Sequence, residues 1–179
     1  MLKTLLNAVV GRFQRRYDYD VSYMRELIDI DPAAFLAFGK VQGLGGYRKA
    51  PLEALTAARL VATLAEDCGS CVQIVVTMAE EEGVSSAVLK AVVIGDEAAM
   101  GPDAALGWAF ARASLARDMG TADPLRDEIV RRWGRKALAS IALGIASARV
   151  YPAVKYALGH GKACSKVQVR GETVAPKAA

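Results

Sequence analysis

The stretch Glu66-Asp67-Cys68-Gly69-Ser70-Cys71-Val72-Gln73-Ile74 decides how this chain is read. It interrupts two strongly apolar runs, Pro51 to Ala65 and Cys71 to Ala79, and sets two thiols three residues apart. In the first run Leu52, Leu55, Ala58, Val61 and Ala65 recur on one helical stripe, which Leu60 and Leu64 broaden. The second run is apolar except for Gln73 and Thr77 until it reaches Glu80-Glu81-Glu82, and a helix apolar nearly all round is a buried one. The pattern predicts two core helices joined at a dithiol. Such a pair can close a disulfide ring, ligate a metal, or fill space as two small core residues.

Around that centre the chain reads as helix throughout, with no convincing strand. Leu2, Leu5, Leu6, Val9, Val10 and Phe13 make an amphipathic helix over 1–13, suited to packing on the domain or on another subunit. Tyr17-Asp18-Tyr19-Asp20 reads as a connector, with Asp20 or Ser22 capping a helix to Ile30. Asp31-Pro32 starts another, to about Val41, and Gly43-Leu44-Gly45-Gly46 reads as a flexible connector. Asp67 or Ser70 is expected to cap the helix over Cys71–Glu82. The three carboxylates at its end oppose the helix dipole, so they should face solvent or a basic partner. Beyond it, Ser85 caps a short helix to Ile94, and Gly101-Pro102 opens one over 103–119. Asp123-Pro124 repeats the start signal, a long helix over 136–158 carries Pro152, and 167–179 reads as a frayed tail.

The composition agrees with one all-α domain of 179 residues, 53% hydrophobic with only 7% aromatic residues. Within it, 1–50 is an N-terminal helical extension, 51–118 the dithiol core and 119–166 the C-terminal helices. The net charge of +4 is spread, and the clusters Arg12, Arg15, Arg16 and Arg131, Arg132, Arg135, Lys136 read as solvated helix faces. No nucleic-acid partner is expected. Three cysteines do not make a secreted disulfide framework, no signal peptide is evident, and the apolar run Ala137–Ala148 is too short to span a bilayer. A cytoplasmic location is expected, where Cys-x-x-Cys favours redox or metal chemistry. The apolar excess hints at self-association.

As a redox pair at a helix start, Cys68 and Cys71 lie one turn apart near the positive end of the helix dipole, which favours thiolate. One thiol can be oxidised and the other can resolve it. Glu66 is the nearest candidate to move protons. As a zinc site the pair would need His160 and Cys164, which stand far along the chain without a second knuckle; no metal and no cofactor are expected. His160, the single histidine, sits between glycines and reads as a cap at a helix end.

The segment from Ala54 to about Ala113 resembles the carboxymuconolactone decarboxylase / alkylhydroperoxidase (AhpD-like) family. The residues that carry this are the helix Ala54-Leu55-Thr56-Ala57-Ala58-Arg59-Leu60-Val61-Ala62, then Cys68-Gly69-Ser70-Cys71, then Glu82-Gly83-Val84-Ser85. The resemblance implies an AhpD-like helical bundle and a homo-oligomer, trimer or hexamer. It implies peroxidase chemistry in which Cys68 and Cys71 cycle through a disulfide reduced by a protein or thiol partner. Active members carry a glutamate before the motif and a histidine four residues after its second cysteine. Here those positions hold Thr56 and Val75, with Glu53 or Glu66 as the substitutes for the glutamate. Two readings from other classes stay open: a non-catalytic helical oligomer, and a decarboxylase-like enzyme with another substrate.

Overall fold

The structure, a computed structural model, describes residues 1–162 and 166–176. It is built of α-helices with one short hairpin. The centre is α5 (Leu52–Leu64), entered through Pro51 and buried on every side, from Ala54 to Ala58 and again from Leu60 to Thr63. A helix with no wet face must be wrapped by others. Here α6 (Gly69–Glu81), α7 (Ser86–Ile94), α8 (Pro102–Ala116) and α10 (Arg135–Ala157) pack on it.

Small residues set the closeness of this packing. At the α5–α8 crossing a Cβ on Gly107 would overlap the Ala54 carbonyl, and one on Gly144 of α10 would lie 2.7 Å from Leu55. One core cluster joins α5 to α6 and α7 through Leu60, Val72, Val76 and Leu89. A second, with Phe110, Ile129 and Ile141, joins α5 and α8 to α10 and to α9 (Met119–Trp133). A third holds the N-terminal layer of α1 (Leu2–Tyr17), α2 (Ser22–Ile30) and α3 (Pro32–Gly39), through Val10, Tyr19, Tyr23 and Ile28, against Ile74 and Val154.

Several start signals act as expected. Asp31 accepts from the Ala33 N–H (2.9 Å) and Ser85 accepts from the Val88 N–H (3.3 Å). Others were misplaced. Neither Asp20 nor Ser22 caps α2: its N-cap residue is Val21, and Asp20 accepts from the Ser22 N–H (3.0 Å) one residue further out. The glycine cluster is a short helix, α4 (Val41–Gly45), and not a free connector. Gly45 lets it close on α10, since a Cβ there would stand 3.1 Å from Ser147 Oγ. The dithiol helix starts at Gly69 with Cys68 as its N-cap residue, not Asp67 or Ser70. Asp123-Pro124 starts nothing. Asp118 caps α9 by accepting from the Thr121 N–H (3.2 Å), and Pro124 falls inside the helix, costing the Gly120 carbonyl its donor.

The tail over 167–179 is not frayed throughout. β1 (Val167–Val169) pairs antiparallel with β2 (Glu172–Val174), across a turn with positive φ at Arg170 and Gly171. Val167 and Val169 are fully buried in the first cluster. Gln73 of α6 holds the strand by accepting from the Gln168 N–H (2.7 Å) and donating to its carbonyl (2.9 Å). The three carboxylates that end α6 find partners within the chain. Glu80 accepts from the Arg170 N–H, Glu81 pairs with Arg16, and Glu82 pairs with Arg48. α10 runs unbroken through Pro152 and is, by length and composition, long enough to cross a membrane, contrary to the shorter run expected. In this fold it packs on α4, α5 and α9.

Candidate functional site

Cys68 and Cys71 stand at the start of α6 with their Cα atoms 5.2 Å apart and are joined as a disulfide. Both are buried, Cys68 completely and Cys71 at 3% exposure. Each sulfur has its own line of polar groups. Cys68 Sγ lies 3.7 Å from Ser70 Oγ, which accepts a 2.8 Å hydrogen bond from Lys155 Nζ. Lys155 Nζ is 3.6 Å from Asp20 Oδ2. Cys71 Sγ lies 3.6 Å from the Tyr19 hydroxyl, which is 3.4 Å from that of Tyr23.

The two lines meet at Lys155, whose ammonium sits over the rings of Tyr19 (4.9 Å) and Tyr23 (5.6 Å). Lys155 comes from the last turns of α10 and its side chain is wholly buried. Burial presses its ammonium below the usual lysine range, and Asp20 opposes that. Burial likewise pushes the Tyr19 and Tyr23 phenols up, while the hydrogen bond from Tyr23 eases Tyr19 back down. Asp20 is held low, first by the Ser22 hydroxyl and then, against its burial, by the Ser22 N–H and Lys155. Tyr19, Tyr23 and Lys155 are therefore shielded from water, while Asp20, at the outer end of the Cys68 line, keeps a third of its side chain exposed.

Beside this centre lies a cavity of about 470 Å³ between the N-terminal layer and α5, α6 and α10. Cys71 is on its wall and Cys68 is not. Most of the wall is apolar, including Val9, Phe13, Met24, Phe35, Phe38 and Met78. The exposed residues Gln42, Gly46 and Arg48 also line it and mark its opening to solvent. Thr56 and Val75, the positions at which the AhpD-like resemblance calls for glutamate and histidine, both line this cavity.

The residues singled out in the sequence fare differently. Glu66 pairs with Arg149 (2.5 Å), and neither it nor Glu53 lines the cavity. His160 Nε2 lies 2.5 Å from Glu26 Oε2, joining the end of α10 to α2. Cys164 lies outside the described residues, and in the disulfide Cys68 and Cys71 offer no thiolate to a metal. The polar groups nearest the sulfurs are the Ser70 and Tyr19 hydroxyls, with Lys155, Asp20 and Tyr23 behind them, and sequence reasoning gave Tyr19, Asp20, Tyr23 and Lys155 no role at the thiols. Two signals were available: the repeated Tyr-Asp of 17–20, and a lysine set among apolar residues late in α10. With this geometry in hand, comparison with known proteins yields no further assignment: no family model, no curated protein and no solved structure matches the chain.

Proposed function

We propose that the protein is a dithiol oxidoreductase of AhpD-like kind that reduces hydroperoxides through Cys71 and Cys68. The observation that supports this is the asymmetry of the pair: Cys71 borders a cavity that small molecules can enter, and Cys68 is sealed behind it. In the reduced protein the Cys71 thiolate attacks the outer oxygen of the hydroperoxide. The S–O bond forms as the O–O bond breaks, and the alcohol leaves with a proton. Tyr19, backed by Tyr23, is placed to donate that proton and to hold the thiolate. The Cys68 thiolate then attacks the Cys71 sulfur, closing the disulfide and expelling hydroxide, which leaves as water. Lys155 and Ser70 favour ionisation of Cys68 for this step. A thiol reductant opens the disulfide and returns two electrons. Tyr19 and Lys155 would thus do the work for which Val75 and Thr56 are unfit.

Single turnover tests the reading. Reduced protein mixed with one equivalent of cumene hydroperoxide should give one equivalent of alcohol and of the Cys68–Cys71 disulfide. Cys71→Ser should abolish both products, and Cys68→Ser should leave a sulfenic acid that dimedone traps on Cys71. A disulfide that opens only on unfolding, or thiols indifferent to hydroperoxide, would sink it in favour of a non-catalytic fold, a reading that Val75, Thr56 and the deep burial of Cys68 favour. Self-association belongs to the same proposal. It is supported by the exposed apolar residues Leu2, Leu5 and Val9 on one side of α1, and sedimentation at micromolar concentration tests it.

A further inference from the structure

The cavity wall carries a charged group that the thiol chemistry does not use. Arg59, on α5, lines the cavity together with Cys71. Its guanidinium donates from Nη2 to the Gly45 carbonyl, while its Nε is buried with no hydrogen-bond partner. Among the described residues no carboxylate forms an ion pair with it, and Glu82, the acidic residue on the same wall, is held by Arg48 at 2.5 Å. Burial, and then Arg48, disfavour the Arg59 charge, and Glu82 and Tyr151 offset this only in part, so the guanidinium stays below its ordinary range. A buried charge left unpaired is costly, and a cavity with one such charge in an apolar wall is shaped for the missing anion.

We propose that the cavity takes an amphipathic aliphatic monocarboxylate, its carboxylate against the Arg59 guanidinium and its chain along Phe13, Met24, Phe35 and Phe38. One guanidinium with no carboxylate in contact suits one negative charge. A phosphate dianion would call for a second cation, and Arg48 is already engaged by Glu82. The volume of about 470 Å³ suits a single small amphiphile. As a statement about the substrate of Cys71, a hydroperoxide of such an acid, this rests on the thiol-peroxidase reading; as a statement about binding it does not.

Calorimetric titration of the reduced protein with decanoate, decanol and decyl phosphate is the test. Decanoate should bind about tenfold or more tighter than decanol, which shares its tail, and tighter than decyl phosphate. Arg59→Gln should erase the preference for decanoate and leave decanol binding unchanged. Should that variant fail to fold, because Gly45 loses its donor, the wild-type comparison decides alone. Equal affinity for decanoate and decanol, a preference for decyl phosphate, or no binding of decanoate overturns the inference. Single-turnover oxidation by cumene hydroperoxide separates the two claims. If it proceeds while decanoate does not bind, only the ligand inference falls. If decanoate binds as expected while no hydroperoxide oxidises Cys71, only the peroxidase reading falls.

Discussion

Replacing Tyr19 by phenylalanine removes one oxygen from the polar line that reaches Cys71. The Tyr19 hydroxyl is 3.6 Å from Cys71 Sγ and 3.4 Å from the Tyr23 hydroxyl, on a residue only 5% exposed, and a phenylalanine ring offers neither of them a hydrogen bond. A hydrogen bond to a charged group contributes about 1.5–3 kcal/mol, and the long contact to sulfur argues for the low end. About 1.4 kcal/mol is a tenfold change in an equilibrium, so Tyr19→Phe should lower the Cys71 thiolate fraction at neutral pH about tenfold. The thiolate that remains is more basic, and with a Brønsted coefficient near 0.5 it becomes about threefold more nucleophilic. In thiol exchange with a small neutral disulfide, in a Cys68→Ser, Cys164→Ser background, the variant should be about threefold slower at pH 7. At a pH where both thiols are ionised it should be about threefold faster, so the two pH–rate curves cross. Loss of the Tyr19–Tyr23 hydrogen bond should cost about 1 kcal/mol of stability, too little to unfold the domain. Curves that coincide would mean that Tyr19 does not hold the thiolate. A constant ratio at every pH would mean that it merely controls access.

Three further outcomes follow from the packing and from the buried phenols. Gly107→Ala should cost about 3 kcal/mol or more in urea unfolding, because the new Cβ meets the Ala54 backbone and the α5–α8 crossing must open; a loss below about 1 kcal/mol would show that the helices can part freely. Burial raises the Tyr23 phenol above its ordinary value of 10.0, so the unfolded chain gives up that proton first as the pH rises. Stability is then fully present below pH 10 and falls above it, and urea midpoints from pH 9 to 11 should decline less steeply in Tyr23→Phe. Val169→Ala should cost about 2 kcal/mol, since the residue is wholly buried in the first core cluster; unchanged stability would mean that the hairpin is not docked in solution.

Local signals in the chain were read with success where one residue type settles the matter. Asp31 before Pro32, Ser85 before α7 and the apolar stripe of α5 each act within a turn or two, and propensity and capping are properties of that range. Errors came where two local signals competed. At 118–124 the Asp118 cap overrode Asp123-Pro124, because a proline early in a helix removes one hydrogen bond while an effective cap satisfies an orphan donor. Gly43–Gly46 looked like a connector until Ser147 and Arg59 gave it something to pack and bond against. The hairpin over 167–174 was too short to announce itself, and Gln73 and Glu80 of α6 fix it in place.

The sequence by itself determined a helical protein with a dithiol at the start of an apolar helix, because helical periodicity and Cys-x-x-Cys spacing are short-range facts; that α6 buries only the stripe Cys71, Val72, Val76 and Ala79, and not every face, was decided by the fold. Nor could the sequence determine which groups serve those sulfurs. Tyr19 lies 52 residues from Cys71 and Lys155 lies 85 residues from Ser70, and no local rule links positions so far apart. The third core cluster sets the N-terminal layer against α6 and the end of α10, and that packing carries the phenols, the carboxylate and the ammonium to the thiols. The same burial strips the phenols and the ammonium of water, and without water a hydroxyl or an ammonium a few ångströms away governs what a sulfur can do.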